Sequence, residues 1–194
     1  GLYMALTALA GLTILVIGES HMSLPTYLLD PLTESLSNQG AKVIAVGACG
    51  ASAQDWLSKT SVPCGAVKLG KEKALVKGKD ATTTPITELI AKDKPDLVLV
   101  IIGDTMASYG KPFPQTWAWQ GVTGLTKAIS STSTACLWVG PAWGNEGGKY
   151  GKTNDRVKFV NGFFSNNVSP CEYVDSTKFS KVGDWPTIDG QHFT

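Results

Sequence analysis

Thr13-Ile14-Leu15-Val16-Ile17-Gly18-Glu19-Ser20-His21-Met22-Ser23 decides how this chain is read: five β-branched or aliphatic residues run directly into a glycine, an acid and a serine. A continuous apolar run of this length, closed by a turn, is the mark of a strand buried on both faces of a parallel sheet. The preceding residues are also uncharged, Glu19 being the first charge of the chain. A membrane span is not expected there, because Gly11 and two threonines interrupt the stretch and basic flanking residues are absent. Ala8-Leu9-Ala10 has the small-residue pattern of a signal-peptidase site without a basic segment before it. The expectation is a piece cut from a longer precursor.

Working outward, further short apolar runs lie at 42–46, 96–102, 135–139 and 172–174, giving five expected strands with 13–17. Amphipathic stretches at 24–38, 84–92, 120–131 and 153–165 read as helices between them. Residues 62–84 are rich in Gly, Lys and Thr and read as a long surface excursion. Alternating strands and helices predict an α/β fold: a three-layer αβα sandwich, flavodoxin-like, on a five-stranded, mostly parallel sheet. The 194 residues, 43% of them hydrophobic, suit one domain over 1–194, which buries roughly 70% of its unfolded surface without needing a metal to hold a core.

Seventeen basic against sixteen acidic side chains leave a formal charge of +1. No basic run forms a stripe for phosphate backbones, so nucleic acid is excluded as an expected partner. The four cysteines, Cys49, Cys64, Cys136 and Cys171, lack CxxC spacing, and there are only two histidines, so no metal is expected. An even count suits one or two disulfides in an oxidising compartment, which points to a periplasmic or secreted protein.

Ligands of open parallel sheets bind beyond the carboxyl ends of the strands. The first strand delivers Ser20 to that edge, on a tight turn before a helix, where a nucleophile or an N-cap would sit. At the far end, Asp189-Gly190-Gln191-His192 sets a carboxylate three residues before an imidazole. That spacing lets the acid accept the Nδ1 hydrogen while Nε2 faces a serine hydroxyl.

Together these segments resemble the SGNH (GDSL-like) hydrolases, from the first strand to the last residues. The resemblance implies Ser20 as nucleophile, in Gly18-Glu19-Ser20 where the family usually reads Gly-Asp-Ser, and Asp189 and His192 as the Asp-x-x-His block. It implies an oxyanion-hole glycine after the second strand, Gly50, with Gly47 as the fallback. In the third block the family's Gly-x-Asn-Asp is replaced by Gly103-Asp104-Thr105-Met106. Thr105 stands at the position of the Asn and could donate one hydroxyl hydrogen, whereas an ionised Asp104 would repel an oxyanion. The expected hole is therefore Ser20, Gly50 and Thr105. Similar departures, and first blocks ending in Ser-His, occur in family branches acting on O-acetyl groups of polysaccharide or peptidoglycan, which makes His21 a candidate substrate contact; the alternative is a partly buried histidine bonding to backbone near the turn.

The resemblance implies a serine esterase or O-acetyltransferase without cofactor, acting on a small-molecule or polysaccharide ester, with an acyl-transfer partner protein if it is a transferase. Trp117 and Trp119, after the third strand, and Trp143, after the fourth, are candidate sugar-stacking residues. The competing expectations are a lipase or thioesterase for longer acyl chains, a carbohydrate-binding subunit without turnover, and a flavin or phosphate cradle at the Gly18–Ser23 turn, for which P-loop spacing is lacking.

Overall fold

The computed structural model describes residues 9–23, 25–144 and 148–178. Its centre is β1 (Thr13–Gly18), whose residues alternate between two apolar layers. Leu15 and Ile17 point into one core and Ile14 and Val16 into the other, and all four are at most 1% exposed. β1 pairs in parallel with β2 (Lys42–Ala48) on one side and β5 (Leu97–Ile101) on the other. β6 (Ala135–Val139) and β7 (Glu172–Val174) continue the parallel set.

Among the described residues four helices cover the sheet: α1 (Asp30–Asn38), α2 (Ile86–Asp93), α3 (Gln115–Ser130) and α4 (Asn154–Asn167). The last three pack on the Leu15/Ile17 face through Ile86, Leu125, Ile129 and Phe164, while α1 covers the Ile14/Val16 face with Leu32 and Leu36. A wide helical turn, Pro25–Leu29, leads into α1, so the expected helix over 24–38 divides in two.

The three-layer α/β expectation holds, but among the described residues the sheet has seven strands, in the order β4-β3-β2-β1-β5-β6-β7. The two additional strands, β3 (Gly65–Leu69) and β4 (Leu75–Lys77), are antiparallel and lie within the stretch read as a surface excursion. Composition hid them for a physical reason. The inward position of β3 is held by Lys68, 2% exposed, whose Nζ reaches Asp30 of α1 at 2.7 Å and Glu34 at 3.4 Å. All three residues of β4, Leu75, Val76 and Lys77, are exposed at the sheet edge, so this strand has no buried apolar face to give it a pattern.

Of the one or two disulfides expected, two form, and they pair Cys49 with Cys64 and Cys136 with Cys171. Among the described residues no helix is long and apolar enough to cross a membrane.

Candidate active site

The parallel strands run in the order β2-β1-β5-β6-β7, so chain direction across the sheet reverses between β1 and β5. A crevice opens at such a reversal, beyond the carboxyl ends of the two strands. Gly18, the last residue of β1, is level with Gly47 of β2 and Ile101 of β5, so the loops leaving all three strands meet at one edge.

From β1 the chain enters the tight helical turn Ser20–Met22. The turn closes on the Glu19 carbonyl, which accepts from the Met22 N–H at 2.9 Å and the Ser23 hydroxyl at 2.8 Å. It also lies directly on β2. A Cβ at Gly47 would collide with the Met22 carbonyl and come within 2.8 Å of the Ser23 nitrogen, so Gly47 is where the turn's backbone rests. Gly50 differs. It has φ +70°, and the site of its missing Cβ has nothing within 4 Å. The Cys49–Cys64 bridge and a Cys49 N–H bond of 2.9 Å to the Cys64 carbonyl tie the Gly50 loop to β3.

Ser20, Gly50 and Thr105 line one open cleft of about 440 Å³, together with Cys49, Asp104, Ser108, Tyr109 and Tyr150. The sequence reading thus named three residues that the fold brings together from three separate loops. Thr105, however, has both its hydrogens engaged. Its hydroxyl donates to the Ala51 carbonyl at 2.6 Å and its N–H to Glu19 Oε2 at 2.8 Å.

Behind the cleft lies a buried charged group. Glu19, His21 and Asp104 are 2%, 6% and 6% exposed. His21 Nδ1 donates to Glu19 Oε1 at 3.1 Å and lies 3.9 Å from Asp104 Oδ2. Asp104 Oδ1 accepts from the Tyr109 hydroxyl at 2.5 Å, and the Lys152 ammonium, itself 2% exposed, stands 3.1 Å from the same oxygen. Burial alone would lower the pKa of His21. The Glu19 hydrogen bond and the Asp104 and Glu19 charges outweigh burial and the opposing Lys152, leaving it above the usual histidine value. Burial, then Asp104, raises the Tyr109 phenol well above the usual range, which keeps it a hydrogen-bond donor.

Glu19, His21 and Asp104 are close enough to share a cation, with ligand atoms within 4.8 Å of one another. Their carboxylates already face the Lys152 ammonium, the Tyr109 hydroxyl, the His21 imidazole and the Thr105 N–H, groups that supply compensating charge and donors within the protein itself.

His21, expected as a substrate contact, is turned inward onto Glu19. Trp117 and Trp119 belong to α3, which begins at Gln115 directly after Pro114 and not at residue 120. They are exposed on that helix, outside the cleft wall. Trp143 is partly buried on the segment after β6. Asp189 and His192 lie outside the described residues. Sequence reasoning missed Tyr109 and Lys152. Lys152 directly follows Gly151, and nothing in its sequence neighbours signals a partner as remote in the chain as Asp104.

No family model matches the sequence. Protein BcsX of Komagataeibacter xylinus is 43% identical over 190 residues, an alignment that takes in 96% of this chain and 72% of that protein. The chain belongs to the BcsX family. Among solved structures, a GDSL-like lipase from Bacteroides thetaiotaomicron matches with TM-score 0.56 and 11% identity, covering 99% of this chain and 87% of that one. The periplasmic domain of a lipopolysaccharide acetyltransferase from Salmonella Paratyphi A matches with TM-score 0.55 and 16% identity, covering 100% and 81%. This BcsX-family chain therefore has the SGNH hydrolase fold.

Proposed function

We propose that this BcsX-family protein is a serine acyl-transfer enzyme acting on acetyl esters of carbohydrate. The observation that carries the reading is the meeting of Ser20 and Gly50 in one open cleft at the switch point of the sheet. Asp189 and His192 complete the triad in this reading. His192 Nε2 takes the Ser20 proton as Oγ bonds to the ester carbonyl carbon, and the carbonyl π pair becomes an oxyanion held by the Ser20 and Gly50 N–H groups. The oxyanion collapses and the bond to the leaving alcohol breaks. The alcohol leaves with the proton from His192, and acetyl-Ser20 remains. Water as second nucleophile makes an esterase. A sugar hydroxyl makes a transferase, with the acetyl group brought by a partner protein.

The acetyl and carbohydrate part of the reading is supported by the fold shared with a lipopolysaccharide acetyltransferase domain. Two disulfides favour the periplasm or the cell exterior. A second reading, a carbohydrate-binding subunit without turnover, draws on Thr105, whose hydrogens are committed to Ala51 and Glu19 and not to an oxyanion.

Hydrolysis of p-nitrophenyl acetate by the wild type and by Ser20→Ala separates the two. A loss of at least about 10³-fold in kcat is expected, and equal rates would favour the binding subunit. Octanoyl ester turned over faster than acetyl ester would move the reading to a lipase or thioesterase.

A further inference from the structure

Asp104 presents a difficulty that the acyl-transfer reading must meet. It stands in the wall of the cleft that holds Ser20, Gly50 and Thr105, and an ionised carboxylate there opposes negative charge developing on the substrate carbonyl. In the low-dielectric environment of a buried wall such repulsion is screened little. Yet Asp104 is surrounded by groups that answer its charge. Lys152 Nζ lies 3.1 Å from Oδ1, the Tyr109 hydroxyl donates to the same oxygen, and His21 Nδ1 is 3.9 Å from Oδ2. Glu19, the other acid of the group, is held by His21 and the Thr105 N–H. Arg156 bonds to the carbonyls of Ala107, Ser108 and Lys111 and so faces the loop that follows Asp104, not its carboxylate.

Lys152 is the only ammonium among these groups, and it is 2% exposed. Burying a lysine is expensive unless an acid receives it. It arrives from just before α4, whose N-cap is Thr153, and its ammonium also lies 5.8 Å from the centre of the Tyr109 ring.

We infer that Lys152 is a positioning residue for acyl transfer: its ammonium masks the Asp104 carboxylate, so that the wall facing the oxyanion carries no net negative charge. Asp104 in turn fixes the loop that carries Thr105, and the pair substitutes, as a neutral unit, for the amide of the usual third block. Lys152 touches neither substrate nor nucleophile in this scheme and acts only through Asp104. The inference rests on the acyl-transfer reading.

The test is a double-mutant cycle on the whole chain, with p-nitrophenyl acetate as substrate and Ser20→Ala alongside. Lys152→Met should lower kcat about tenfold or more, with KM changed less than about twofold. In the Asp104→Asn background the same Lys152→Met exchange should change kcat by less than about threefold, because no carboxylate is left to mask. A residue that merely supports the fold would lower kcat equally in both backgrounds. Tyr109→Phe, which removes the other donor without loss of ring volume, gives a second arm should Lys152→Met fail to fold. Its kcat should fall, and should not fall in the Asp104→Asn background. Equal losses in the two backgrounds, or no loss on removing Lys152, would overturn the inference while Ser20→Ala remained inactive. Wild-type rates in Ser20→Ala would overturn the acyl-transfer reading and the inference together.

Discussion

At the scale of single residues, His21 shows how a buried group reports its surroundings. Its pKa is raised because Glu19 and Asp104 hold the imidazolium more strongly than burial opposes it. A group whose folded pKa exceeds its unfolded value contributes stability that is complete below the unfolded value of 6.5 and disappears as pH rises through the folded one. The wild type should therefore exceed His21→Gln in Tm by most near pH 6, and the gap should narrow as pH is raised through the neutral and mildly alkaline range. Thermal unfolding of both proteins between pH 6 and 9 checks the sign, and a gap that widens with pH would mean that His21 is buried neutral. The role of His21 was not legible from its place after Ser20. Its Glu19 contact is local, but Asp104 reaches it only through the β1–β5 pairing, which no local pattern encodes.

At the scale of elements, the sequence spoke clearly where both faces of a strand are apolar and poorly where a strand carries charge inward. β1, with Ile14, Leu15, Val16 and Ile17 all buried, could be read residue by residue. β3 could not, because Lys68 occupies an inward position and depends on Asp30 and Glu34 of α1 to be there. The start of α3 was obscured by Pro112 and Pro114, which read as loop punctuation although Pro114 immediately precedes the first turn. The two glycines weighed for the oxyanion hole part company at this scale as well. Gly47 lets the Ser20–Met22 turn lie on β2, whereas Gly50 turns the chain at positive φ beside the open cleft. Gly47→Ala should destabilise by about 2 kcal/mol through overpacking against the Met22 carbonyl. Gly50→Ala should lose about 1 kcal/mol through its left-handed backbone. Urea denaturation of the two variants measures both, and a larger loss at Gly50 would mean that the turn can move away from β2.

At the scale of the whole molecule, the two disulfides divide the labour of holding the sheet. Cys136 lies near the start of β6 and pairs with Cys171 just before β7, so that bridge sits at the end of the sheet remote from the cleft. Cys49 and Cys64 join the loop after β2 to the start of β3, at the cleft end and next to Gly50. Loop-closure entropy assigns about 3 kcal/mol to the bridge spanning 15 residues and about 4 kcal/mol to the one spanning 35. Stability alone would make the second the more important. Catalysis should rank them the other way, because only the Cys49–Cys64 bridge restrains a backbone N–H proposed to meet the oxyanion. Exchange of Cys49 and Cys64 for serine should therefore lower kcat for acetyl ester severalfold at a temperature where the protein stays folded. The equivalent exchange of Cys136 and Cys171 should lower the denaturation midpoint further yet leave kcat within about twofold. Denaturation curves and single-turnover rates on both double variants decide it. If the Cys49/Cys64 variant keeps full turnover, the Gly50 loop is held by β3 and the Cys49–Cys64 backbone hydrogen bond alone, and the bridge serves stability only.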